Sequence, residues 1–241
     1  MAIWLVRHGE TEWSISGQHT GSTDIALTPD GRLQAVAIGK LLSGRRFDHV
    51  FASPMLRARE TGRLAGFGDR IRVHEGLLEY DYGEFEGLTT QQIQEIHPGW
   101  ELFRDGCLGG ETPEKMAKRV DGVIDGLREL GGNILLFGHG HCFRSIAARF
   151  FDLSIRFATN LRLDAGTISI LSDERDGSAL VLWNRRAQPR AMVVADIATA
   201  IARTGPLAAR ARMLPWDACS QSSPSSRPGS SWSSCGCSRT I

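Results

Sequence analysis

Two histidines in this 241-residue chain stand where a protein could use them as a nucleophile and an anion ligand. His8 lies in Val6-Arg7-His8-Gly9-Glu10-Thr11, directly after the apolar run from Ala2 to Val6. His139 lies in Phe137-Gly138-His139-Gly140-His141, directly after a similar run from Asn133 to Phe137. A lone loop histidine has a bland explanation. Two of them, each beside glycine and each following a buried-strand pattern, point to one site, because ligands of open α/β sheets bind beyond the carboxyl ends of the strands. The residues after His139 predict a helix whose first N–H groups and positive end would face an anion. Arg57, in Ser53-Pro54-Met55-Leu56-Arg57-Ala58-Arg59, falls on the first turn of another predicted helix. Helical side chains lean toward the N-terminus, so its guanidinium can reach back to the sheet edge. A planar guanidinium suits bidentate phosphate binding. Arg59 fits a solvated helix face, but spacing alone leaves the two arginines open. Between Leu77 and Gly87 stand Glu79, Asp81, Glu84 and Glu86. One carboxyl there could protonate the alkoxide that leaves when a phosphate ester is cleaved; composition does not say which.

The elements that must position these residues are legible from patterning. Ala2 to Val6, Val50 to Ala52 and Asn133 to Phe137 read as short strands buried on both faces. Thr28-Pro29 opens a helix with Leu33, Val36, Ala37 and Leu41 at helical spacing, ended near Gly44. Ser53-Pro54 reads as a second helix start of the same type. Gln91 to Ile96 predicts a short helix, Thr112-Pro113 opens a longer one to about Leu130, and Phe143 to Phe151 predicts another. Thr167 to Leu171 and Ala179 to Trp183 read as paired strands around Asp176-Gly177. Strands alternating with helices imply an α/β fold with a mostly parallel sheet covered on both faces.

Composition narrows the class. Hydrophobic residues at 41%, charged residues at 23% and a formal net charge of +1 describe an ordinary globule and exclude general electrostatic binding of nucleic acid. The five cysteines are odd in number, and Cys219, Cys235 and Cys237 crowd the end, so no disulfide framework is expected. No apolar run approaches the roughly 20 residues that span a bilayer. The first residues run straight into a strand, so no signal peptide and a cytoplasmic location are expected. Residues 1–186 read as one domain. Residues 187–241 turn rich in serine, with arginines outnumbering acids and no periodicity, and read as a disordered or aberrant tail.

Taken together, Arg7-His8-Gly9-Glu10-Thr11, Ser53-Pro54 with Arg57, Leu78-Glu79 with Tyr82-Gly83 and Glu86-Gly87, and Gly138-His139-Gly140 resemble the histidine phosphatase superfamily, which includes the cofactor-dependent phosphoglycerate mutases. Gly17-Gln18-His19-Thr20-Gly21, the loop from Glu79 to Gly83, Arg104-Asp105-Gly106-Cys107 and His139-Gly140-His141 resemble most the broad-specificity acid phosphatases and sugar bisphosphatases. The resemblance implies a phosphoglycerate mutase-like, three-layer α/β/α sandwich. It implies that His8 becomes phosphohistidine, that Arg7, Arg57 and His139 bind the phosphoryl oxygens, and that Glu79 donates the proton. It implies contacts to substrate from Ser14 (asparagine in the mutases), Thr20 and Gly21. Tyr82, Arg104, Gly140 and His141 complete the expected pocket, with Arg104 the candidate for a second anionic group. Lys115, Lys118 and Arg119 read as the solvated face of their helix. Hydrolysis of a small phosphorylated metabolite is expected without metal or cofactor. A mutase, which in this family carries a longer segment between acid and second histidine, and a non-catalytic phosphate-binding relative are the alternatives. Oligomeric state is left open.

Overall fold

In the computed structural model, residues 1–187 are described, so nearly all of the expected tail lies outside the described residues. Their six strands form one sheet: β1 (Ala2–Arg7), β2 (His49–Ala52), β3 (Arg72–Val73), β4 (Asn133–Gly138), β5 (Thr167–Glu174) and β6 (Gly177–Arg186). The spatial order is β3-β2-β4-β1-β5-β6. The first four are parallel, while β5 runs antiparallel to β1 and β6 antiparallel to β5.

The central strands obey the two-residue alternation of a pleated strand. Ile134 and Leu136 of β4, with Ile3 and Leu5 of β1, pack on one face against α6 (Pro113–Leu130) and α7 (Gly140–Phe150). Leu135 and Phe137, with Val6 and Val50, pack on the other face against Ile38 and Leu42 of α2 (Pro29–Leu42). Both faces of the sheet are therefore covered, as the apolar runs required. The register of β1 and β4 places Val6 opposite Phe137 and Arg7 opposite Gly138. His8 and His139 thus leave neighbouring parallel strands side by side, and the His8 N–H donates to Gly138 O at 2.9 Å.

Two helix starts differ from expectation. After Ser53-Pro54 the helix α3 (Leu56–Gly62) begins at the N-cap Met55, with no side-chain cap. The Ser53 hydroxyl is buried and engaged with His139 instead. Helix α7 begins at Gly140, ahead of the expected Phe143; its first turn holds Gly140 and His141, which line the cavity, so the apolar helical pattern starts late. Three short elements, α1 (Glu12–Ser16), β3 and α5 (Leu102–Asp105), were not expected. Each is too short for periodicity to speak. A further short helix, α4 (Thr90–Ile96), opens on a Thr89–Gln92 capping box close to its expected start.

Candidate active site

Gly9 lets the chain turn out of β1. A Cβ on it would lie 2.2 Å from Gly31 O, so the close neighbour is the start of α2 rather than a ligand. Just before it, the His8 ring is nearly inaccessible, and its Nδ1 lies 2.7 Å from Gly9 O. A carbonyl only accepts, so Nδ1 carries the proton and donates it. That leaves Nε2 as the unprotonated nitrogen. It makes no hydrogen bond among the described residues, and His8 lines a cavity of about 220 Å3. Burial, then the charges of Arg57 and Arg7, hold this imidazole well below its usual pKa, so the neutral nucleophilic form dominates near neutral pH.

His139 takes the opposite tautomer. Its Nδ1 accepts from Arg57 Nε–H at 3.2 Å, and its Nε2 donates to Ser53 Oγ at 2.8 Å. The two imidazoles meet edge to face with centroids 5.3 Å apart. Arg57 is completely buried and does not line the cavity. Its remaining fork donates to the carbonyls of Thr23, Thr20 and Gly21, each at 2.9 Å. That loop is in turn held by the Glu86 carboxylate, which accepts from the N–H groups of Gly21 and Thr23. Arg59 is exposed, so the structure separates the two arginines that spacing left open. Arg7 lines the cavity and donates from Nη1 to Leu163 O. Its buried Nε–H has no partner among the described residues. An unsatisfied buried donor costs about 1–3 kcal/mol, a penalty that a bound oxyanion would remove.

The α7 N-terminus does not wait for a substrate. The Glu79 carboxylate accepts from the N–H groups of His141 at 3.0 Å and Cys142 at 2.7 Å, and from its neighbour Tyr80. The acid is thereby tied to the helix that follows His139 and also faces the cavity with His8. Deeper in the wall, Tyr82 O–H lies 2.6 Å from His141 Nδ1. Burial and the Glu79 charge hold the phenol well above its usual pKa, and burial holds His141 well below its own. Both are neutral, and the phenol is the donor. His19 meets Tyr82 at a tilt, with centroids 4.7 Å apart, and burial lowers its pKa to about 4.

The cavity therefore brings together Arg7, His8, Ser14, Thr20, Glu79, Tyr82, Gly140 and His141. Arg57, His139 and Gly21 stand directly behind its wall. Ser14 contributes little freedom: its hydroxyl is spent on Thr11 in a capping box that starts α1. Arg104 is a correction. It is bound to Asp105, Glu101 and the Gly99 carbonyl and lies away from the cavity. Arg144, which sequence reasoning missed, lines the cavity in its place. Its Nε and Nη2 hold the Ala158 and Thr159 carbonyls, and its Nη1 has no hydrogen bond among the described residues. The signal was available: Arg144 lies a helical turn past His141, on the same face of α7. Arg119 is also corrected. It is not solvated but bound to Glu111 and to the backbone beside Glu79.

A sequence profile of the histidine phosphatase superfamily (branch 1) matches residues 3–186. The chain belongs to this superfamily. An acid phosphatase of Mycobacterium tuberculosis is 36% identical over 195 residues, covering 78% of this chain and 94% of that protein. A sedoheptulose 1,7-bisphosphatase of Saccharomyces cerevisiae is 35% identical over 184 residues, covering 63% of this chain and 68% of the relative. A solved structure of a Mycobacterium tuberculosis open reading frame superposes with a TM-score of 0.74 at 34% identity, covering 78% of this chain and 98% of the other. Histidine phosphatase superfamily membership makes this chain a phosphatase-type enzyme on an α/β scaffold, and the expected fold stands. Among the described residues, no helix is long and apolar enough to cross a membrane, and no group of at least 3 His, Cys, Asp or Glu side chains could hold a metal ion.

Proposed function

We propose that this histidine phosphatase hydrolyses small phosphorylated metabolites through a phosphohistidine at His8. The observation that carries this reading is the Gly9 carbonyl on His8 Nδ1, which leaves Nε2 free in a cavity beside the unpartnered Nε–H of Arg7. Nε2 attacks phosphorus as the ester oxygen departs, and Glu79 delivers the proton that oxygen needs. Arg7 neutralises developing charge on the phosphoryl oxygens directly. Arg57 and His139, both fully buried, add their field from behind, where little water screens them. In the second half, Glu79 takes a proton from water as it attacks the phosphohistidine. A cavity of about 220 Å3 suits a small metabolite. The free, buried thiols of Cys107 and Cys142 fit the reducing cytoplasm in which we place the enzyme.

The test is turnover of p-nitrophenyl phosphate between mildly acidic and neutral pH by the wild type and by His8→Ala. Release of phosphate that disappears with His8→Ala supports the proposal. Wild-type inactivity across a panel of phosphomonoesters, or undiminished turnover by His8→Ala, rejects it. Isomerisation of 3-phosphoglycerate primed with 2,3-bisphosphoglycerate, without net phosphate release, would instead make the chain a mutase.

A further inference from the structure

Glu79 is gripped at both ends, and the grip on its backbone comes from a residue no part of the reaction has yet used. Arg119, on α6, points its guanidinium inward. Nη1 donates to Gly76 O at 2.9 Å and Leu78 O at 2.8 Å, and Nη2 reaches Glu79 O at 3.3 Å. The opposite edge of the guanidinium is held by both carboxylate oxygens of Glu111, at 2.9 and 2.8 Å. Glu111 also donates its own N–H to Asp81 O at 2.9 Å, on the far side of Glu79. The backbone on both sides of the acid is thus bound to one half-buried, charge-compensated unit. The carboxylate end is held independently, by the N–H groups of Tyr80, His141 and Cys142.

We infer that Arg119, locked by Glu111, is a positioning residue for the Glu79 proton donor. The clamp has the form such a task needs. A loop without regular hydrogen bonds has soft dihedrals, and a guanidinium forked across three of its carbonyls removes that softness. Lysine at the same place would supply a point charge without the fork. Proton delivery is sensitive to this, since a displacement of about 1 Å costs on the order of 100-fold in rate. Attack by His8 is not, because His8 hangs from β1 and shares no bond with the clamp.

The inference rests on Glu79 being the proton donor, and the experiment separates the two claims. kcat/KM is measured with p-nitrophenyl phosphate, whose leaving group needs little protonation, and with alkyl phosphates, whose alkoxide needs it fully. Glu79→Gln should depress the alkyl esters far more than the aryl ester. If it depresses both alike, the donor assignment fails and takes the clamp with it. Given that discrimination, Arg119→Met should lower alkyl-ester kcat/KM about 100-fold while changing the aryl ester less than about threefold. Arg119→Lys should fall between, Glu111→Gln should reproduce the selective loss in weaker form, and the exposed Lys118→Met on the same helix should do nothing. If Arg119→Met does not fold, Arg119→Lys and Glu111→Gln carry the comparison. Parallel loss for both ester classes in these variants, or none, would reduce Arg119 to a stabilising residue and overturn the inference.

Discussion

At the residue scale, the site is a set of decisions about which nitrogen carries a proton. His8 is fixed as an Nδ1–H imidazole by one carbonyl, and His139 as an Nε2–H imidazole by Arg57 and Ser53. Arg7, His8 and His139 stand in short motifs of unambiguous residue type, whereas Glu79 was one of four acids that residue type left open and only the family resemblance singled out. Arg144 was missed although it lies one helical turn past His141, because an arginine inside a helix resembles any solvated arginine until that spacing is weighed. Arg104 is the reverse case: its neighbours Asp105 and Glu101, close in sequence, compensate its charge, and their weight against a substrate role was not drawn from the linear sequence. With Arg144 lining the cavity and its Nη1 unbonded among the described residues, Arg144→Met should raise KM at least about tenfold for substrates with a second anionic group, in line with a lost charged hydrogen bond of about 1.5–3 kcal/mol. kcat for p-nitrophenyl phosphate should stay within about twofold. Equal KM changes for mono- and bisphosphates would remove Arg144 from substrate recognition.

At the scale of elements, the caps explain most of the agreement between pattern and structure. Thr28 accepts from the Gly31 N–H and Thr112 from the Lys115 N–H, each with proline next in the chain. Where a similar signal misled, at Ser53, the hydroxyl is bound to the buried imidazole of His139. The deviation falls at the candidate site. Helix α7 shows the same trade, since its cap is the carboxylate of Glu79, which is distant in sequence and invisible to any local rule. The junction of β1 and α2 has no slack at all. Gly9→Ala would drive a methyl to 2.2 Å from backbone oxygen of Gly31. Overpacking against backbone should cost at least about 2 kcal/mol. A shifted urea midpoint would show this, with loss of turnover as the strand end moves; an unchanged midpoint would mean the junction relaxes more freely than its contacts suggest.

At the scale of the whole molecule, the site imposes a pH limit on the fold. Burial comes first among the causes that lower the pKa values of His8, His139, His141 and His19, the last to about 4. In the unfolded chain each titrates near 6.5. Below that pH the unfolded state binds protons that the folded state refuses, so stability falls as pH drops. For His19 the loss runs from about 6.5 down to about 4. Each such proton contributes up to about 1.4 kcal/mol per pH unit. The melting temperature should hold between pH 8 and 7 and fall progressively below about 6.5. A flat profile down to pH 5 would mean that these imidazoles charge without cost. The sequence showed the histidines but not this consequence, which depends on how far β1 and α7 bury them.

The carbonyl of Gly9 also dictates covalent chemistry. By occupying Nδ1 it leaves only the ring nitrogen remote from the backbone for bonding to phosphorus, so the phosphohistidine we propose would be a single regioisomer, the tele-phosphoramidate. Such a P–N bond survives alkali and is cleaved in acid. The intermediate is therefore an acid-labile modification in a protein whose own fold weakens in acid, and it has to be trapped with base or detergent.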